Sequence, residues 1–251
     1  MIRILLLASL LAIPSTTYAQ TPHPSPTPAS DAGRFHIGID GGSQLKVQSF
    51  SDAFDEPLYT ELKHVTTDYP DKGGLFVSFG ARYRLWKQMT AGVSVSTFSH
   101  AADATVKAQL PHPFFDNRFR SIEGTATTTR QEIAVNPTVG VLLPLSSHVQ
   151  LGVNVGPSIL NVKQDFVTDV EFSEAYPFDT AAFTSADTKA SSHTAAGIYA
   201  GADVTWMFSQ HVGAGGLVQV THATVKQSVG TRTVSIDAGG VQAGGGVRFV
   251  F

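Results

Sequence analysis

Leu75-Phe76-Val77-Ser78-Phe79-Gly80-Ala81-Arg82-Tyr83-Arg84-Leu85-Trp86 decides the fold. Leu75, Val77, Phe79, Ala81, Tyr83 and Leu85 form one set of alternate positions. Phe76, Ser78, Gly80, Arg82, Arg84 and Trp86 form the other. A period of two means a strand with one apolar face, because successive side chains point to opposite sides. Working outward, the period recurs in Phe35/Ile37/Ile39, Ala91/Val93/Val95, Ile133 to Leu143 and Val149 to Val155. It returns in Ala196 to Phe208, Val212 to Val220 and Val241 to Phe251, which makes eight strands. Their connections alternate in length. Short joins lie at Trp86–Met89, Pro144–His148 and Phe208–His211; long ones run over 51–72, 108–119, 167–191 and 228–237. Short and long joins in strict turn predict an antiparallel up-and-down meander. A hairpin inside the third long loop would raise the count to ten.

The second face decides which side of the sheet is outside. It carries Asp40, Arg82, Arg84, Glu132, Asn136, Asn154, Asp203, Gln242 and Arg248, with glycines between them. A water-facing set would be richer in Lys and Glu and poorer in Gly, which weakens strands. Inside a closed barrel the same set makes sense, since opposite charges pair and Gly leaves room for Arg. The expectation is a transmembrane barrel, in which closure satisfies every backbone group. On this reading Asp40, Arg82, Arg84, Glu132, Asp203 and Arg248 form a lumen charge network. Eight strands leave an interior that side chains can fill, so a plug is favoured over a narrow conducting path. Phe35, Tyr83, Trp206, Phe208, Phe249 and Phe251 should all fall at one rim, as an interfacial girdle.

Composition agrees. The 251 residues are 42% hydrophobic but only 15% charged, with 23 Gly, 13 Pro and a net charge of −3. Soluble domains carry roughly 25% charge, and the balance gives no reason to expect nucleic acid. The chain has no Cys, which excludes disulfides, thiolate metal sites, a cysteine nucleophile and a lipidated N-terminal Cys. At the start, Arg3, the apolar run Ile4 to Ile13, Pro14 and Thr17-Tyr18-Ala19 read as a signal peptide over 1–19. Cleavage is expected between Ala19 and Gln20. Residues 20–32, with Pro22, Pro24, Pro26 and Pro28, read as an extended periplasmic tail. The barrel would then occupy 33–251.

These residues resemble the small eight-stranded outer-membrane β-barrels of Gram-negative bacteria, the OmpA membrane-domain and OmpX-like group. The most specific piece is Val247-Arg248-Phe249-Val250-Phe251. There Val247, Phe249 and Phe251 resemble the family's C-terminal assembly signal. The resemblance implies export by the general secretory pathway with the N-terminus in the periplasm. It also implies periplasmic chaperones and the barrel-assembly machinery as partners during biogenesis, and outer-membrane lipid and lipopolysaccharide afterwards. A peptidoglycan-binding domain, present in two-domain members, is not recognisable here, so wall anchoring is not carried over. The expected role is structural or surface interaction, with neither catalysis nor a cofactor, and with a narrow porin-like channel as the alternative.

A more distant alternative is an outer-leaflet lipid hydrolase. His222 and Thr224 lie two apart on a lipid-side strand face, but no orienting carboxylate is evident. No His or carboxylate spacing marks a metal site. The long loops hold acids, Asp52, Asp55, Glu56, Glu61, Asp68 and Asp71 in the first and Asp169, Glu171, Glu174, Asp179 and Asp187 in the third. They read mainly as solvated charge, with cation collection the lesser expectation. Leu110-Pro111-His112-Pro113-Phe114-Phe115 is either a contact patch or a cover over the barrel mouth.

Overall fold

In the computed structural model the described residues are 33–45, 48–70, 72–230 and 232–251. The signal-peptide and tail assignments fall outside them. All regular elements are strands, β1 (Phe35–Gln44), β2 (Phe50–Leu58), β3 (Glu61–Tyr69), β4 (Gly74–Trp86), β5 (Met89–Pro111), β6 (Phe119–Pro144), β7 (Val149–Glu174), β8 (Ala181–Met207), β9 (Val212–Val229) and β10 (Arg232–Val250). They form one antiparallel sheet in the order β2-β3-β5-β4-β1-β10-β9-β8-β7-β6, and β5 also pairs with β6. That last pairing closes β1 and β4 to β10 into an eight-stranded ring. Closure explains why a chain so rich in exposed apolar residues has no open edge in its lower part.

Two expectations are corrected. The extra strands come from the first loop, as the β2–β3 hairpin, not from the third. The third loop is instead the continuation of β7 and β8, which run on as a paired ladder to Glu174 and Ala181. The second and fourth loops shrink likewise, because β5 pairs with β6 as far as Pro111 and Phe119, and β9 with β10 as far as Val229 and Arg232. At 23 to 27 residues, β5 to β8 are more than twice the ~9–11 residues that cross a bilayer.

The polarity of the wall inverts along these strands. On β6, Ile133, Val135, Val139 and Val141 are exposed on the outer face, while Asn136 and Thr138 are buried between them. Farther up the same strand the outer positions are Ser121, Glu123, Thr125, Thr127 and Gln131, all exposed, and Ile122 and Ala126 point inward. On β7 the outer face passes from Val153, Val155 and Ile159 to Asn161 and Lys163, while the inner face passes from Asn154 and Ser158 to Leu160, Val162 and Phe166. The lower part is thus inside-out, apolar toward its surroundings and polar within, which only a hydrocarbon solvent stabilises. This part spans the membrane. The upper part, the extension, has an ordinary apolar interior and belongs in water.

The expected girdle is present at the short-turn end. Phe35, Tyr83, Trp206, Phe208 and Phe251 are exposed there, with Phe35 paired to Tyr83 and half-exposed Phe249 on β10 paired to Ile37. Backbone bonds of 3.0 and 2.9 Å between Phe35 and Phe251 tie the first strand to the last residue.

Within the extension β5 exchanges partners. Up to Ser99 it pairs with β4; from Thr105 to Gln109 it pairs with β3. The hairpin β2–β3 therefore takes the place of β1 and β4, whose mutual ladder ends at Gln44 and Gly74. Between β2 and β10 no backbone ladder forms among the described residues. Arg232 bridges this seam instead. Its guanidinium bonds Asp52 Oδ2 at 2.8 and 3.1 Å and the Val167 carbonyl at 2.8 Å, and it covers the Phe54 ring at 4.1 Å.

Candidate functional site

Alternation places the inner-face charges of the lower barrel at similar heights, and the structure pairs them across the lumen. Arg82 on β4 grips Asp203 on β8 with two parallel bonds, Nη1 to Oδ1 at 2.7 Å and Nη2 to Oδ2 at 2.8 Å. Arg248 on β10 lies 2.8 Å from Asp40 on β1. Four of the six predicted network residues thus form two ion pairs, both against one cavity of about 40 Å³. Glycines make the room. A Cβ on Gly152 would sit 2.3 Å from Arg82 Nη1 and 2.6 Å from Asp203 Oδ1. Glu132 does not join these pairs; it lies higher and binds Arg130 at 2.7 Å and the Gly239 amide at 3.0 Å. Arg130 shares the inner phase with Glu132 but lies outside the Ile133 to Leu143 alternation by which the sequence marks this strand. Arg84 is on the inner phase and half-buried. Gln44, Gln219, Gln242 and Tyr199 extend the polar network, with Gln242 bonding Gln44 at 2.6 Å and Gln219 at 2.5 Å.

Above this network the interior is closed by apolar packing. Phe166, Leu160, Val162, Val225 and Ile236 are at most 1% exposed, and Phe50 stacks on Tyr69 with centroids 4.4 Å apart. Burial holds the Tyr69 phenol well above its ordinary pKa. A neutral phenol can both donate and accept, and Tyr69 Oη accepts the Val167 amide at 2.9 Å.

Several acids of the first and third loops act as braces. Asp52 holds Arg232, Asp55 lies 2.5 Å from His64, and buried Lys63 binds Glu56 at 2.9 Å and also Asp169. Burial works against the Lys63 charge, but the two carboxylates outweigh it and raise its pKa. Among the described residues no group of three or more His, Asp or Glu has metal-holding geometry. His222 and Thr224 are both on the outer face, and Thr224 Oγ1 donates to Asp237 at 2.9 Å.

At the far end of the extension three turns are cross-braced into one tip. Glu174 at the end of β7 accepts from Tyr59 of the β2–β3 turn and from Arg120 of β6. Arg120 also donates to the Pro111 carbonyl at 2.7 Å and the Phe178 carbonyl at 3.1 Å. The Asn117 amide donates to Glu61 at 3.0 Å, and Arg118 pairs with Asp179 at 2.9 Å. Partial burial pushes the Glu174 pKa up, but Tyr59 and Arg120 outweigh it and hold the carboxyl below its ordinary value. On this frame the 110–115 segment divides. Leu110, Pro111 and His112 are buried, whereas Phe114 and Phe115 are 70% and 56% exposed. Tyr176 is 86% exposed.

With that geometry in hand, comparison with known proteins adds little detail. No family model matches the chain, and no curated protein matches it. The solved structures it is similar to are outer-membrane β-barrels. The outer membrane protein OprG of Pseudomonas aeruginosa is 11% identical, with 87% of this chain and 96% of that one covered at a TM-score of 0.46. Neisserial surface protein A is 10% identical, covering 86% and 97% at 0.46. The outer membrane protease OmpT of Escherichia coli is 7% identical, covering 87% and 97% at 0.44. At such identities and scores the barrel assignment rests on the chain's own ladders and exposure pattern.

Proposed function

We propose that this protein is an integral outer-membrane barrel, plugged through its lumen, whose role is to hold a rigid extension at the cell surface for interaction. The single supporting observation is the filled interior, where two ion pairs cross the lumen beside a cavity of about 40 Å³ below an apolar core. Buried charges are retained in pairs because an unpaired one is costly, and paired they serve as a plug. Residues 1–19 act as the export signal with cleavage after Ala19, residues 20–32 as a periplasmic tail, and Val247, Phe249 and Phe251 as the assembly signal. The short-turn end then faces the periplasm and the extension faces outward, beside lipopolysaccharide.

The test is conductance of the refolded, heat-modifiable barrel in a planar bilayer. Silence is expected from the wild type and from Arg82→Ala and Asp203→Ala alike, because the apolar core above the pairs still closes the interior. Discrete steps from the wild type that change with Arg82→Ala would overturn the plug and make the charge network a channel's selectivity site.

A further inference from the structure

The tip exposes aromatic surface that its own packing does not need. Phe178 is half-buried and anchors the cluster, 5.5 Å from Phe114 and 6.1 Å from Tyr176 in edge-on contacts. Tyr59 is exposed too, set outward by a backbone φ of 56° in its turn, a conformation costly for a residue with a Cβ. Beneath them buried Arg120 clamps Glu174 and the Pro111 and Phe178 carbonyls, so the rings stand on a braced base. An ordered, exposed group of Tyr and Phe is the composition of a binding hot spot, since rigid rings lose little entropy on contact.

Charge selects the partner. Asp116 and Asp179 are exposed next in sequence to the Phe115 and Phe178 rings, and Glu61 and Glu174 lie in the braces, against Arg118 and Arg120. Carboxylates and aromatic faces both attract cations, the first by charge and the second by the ring quadrupole. Arg118 already demonstrates the second attraction within the tip, lying over the Phe115 ring at 5.7 Å. An anionic surface would meet repulsion and gain nothing from the rings.

We propose that the tip formed by Tyr59, Phe114, Phe115 and Tyr176, with its acidic rim, docks a cationic polypeptide surface in which Lys or Arg side chains sit beside apolar ones. This rests on the extension being displayed at the cell surface, and it adds the class of partner. The rim steers encounter and the rings hold the complex.

The experiment uses the full mature chain in zwitterionic lipid nanodiscs, with empty nanodiscs as the blank. The probe is a fluorescent peptide of repeating Lys-Gly-Tyr units. It is compared with Glu-Gly-Tyr and Lys-Gly-Gly counterparts and with an unlabelled neutral oligosaccharide as competitor. The Lys-Gly-Tyr peptide should bind best. Phe114→Ala with Tyr176→Ser should weaken it at least ~10-fold, and Asp116→Asn should slow association with an effect that fades in high salt. Both variants change exposed side chains, and an unchanged melting curve verifies their folding.

Equal binding of Lys-Gly-Gly, or no effect of the aromatic variant, would overturn the proposal. Displacement by the oligosaccharide would overturn it in favour of a sugar site. If the tip binds nothing while the barrel stays membrane-inserted and silent in the bilayer, only the partner falls. If the barrel conducts, it is the plug that falls.

Discussion

The two halves of this barrel are built from the same strands with opposite rules. In the membrane-spanning half, Val139 and Ile198 face outward at 62% and 69% exposure while Asp40 and Asp203 are buried. In the extension, Thr125 and Lys163 face outward while Val106, Val162 and Phe166 are fully buried. On β6 and β7 the side-chain alternation carries through the boundary, although β5 changes partner there and the β6–β7 and β8–β9 ladders end; what changes for those two faces is the solvent. The lesson is that the inner face of a strand is defined by barrel closure, and the surrounding medium decides which residue types each face carries. In hydrocarbon the interior is the polar refuge, and in water it is the apolar one.

That comparison can be broken, and the largest effect should come from the extension's core. Phe166→Ala removes a ring that is 0% exposed and should cost about 3–5 kcal/mol. Limited proteolysis should then cut the upper strands while the membrane half keeps its heat-modifiable mobility; loss of both together would show a single cooperative unit. A loss approaching that, of about 3 kcal/mol, is expected in the other half from Asp203→Ala, which leaves the half-buried Arg82 guanidinium without its partner. The double variant with Arg82→Ala should recover part of it in urea unfolding. A double variant as unstable as the sum of the two singles would show that the pair is not coupled.

A smaller contrast sits on one strand face. Val139→Arg should cost about 2–4 kcal/mol in lipid, whereas Thr125→Arg, on the same face of β6, should stay within about 0.5 kcal/mol. Equal effects would move the bilayer boundary. The smallest effect is one of pH. Because Tyr59 and Arg120 hold the folded Glu174 pKa below its ordinary 4.5, their stabilisation is present above that value and is lost as pH falls through the depressed one. Thermal melting of the extension should drop by about 2–4 °C across this range, and Glu174→Gln should remove the dependence.

Much of this was legible in the chain. Every outer-face residue of the eight belt segments was readable from alternation, because hydrocarbon imposes an apolar residue at each second position. Arg82, Asp203, Arg248 and Asp40 were readable as lumen groups, though not which acid meets which base. The extension reads in the sequence as long loops, not as strand. Its outer face is Thr, Ser, Lys and Glu and its inner face includes Ala, so its contrast between faces resembles a polar loop. The signal was there in Val106/Ala108/Leu110 and Leu160/Val162, where the apolar set moves to the phase that had been polar. The tip left no such trace, since Tyr59, Glu174, Arg120 and Phe178 are brought together from distant parts of the chain.

The sequence by itself determined that strands form, that a membrane surrounds the lower part and which face meets lipid, because side-chain period and solvent act on each strand locally. Only the tertiary structure decided that β2 and β3 replace β1 and β4 above the bilayer, that Arg232 bridges the seam and that three turns fuse into one aromatic tip. Those outcomes depend on contacts between residues up to 180 positions apart, as in Arg232 to Asp52, and such contacts exist only once closure of the ring has fixed every strand's height.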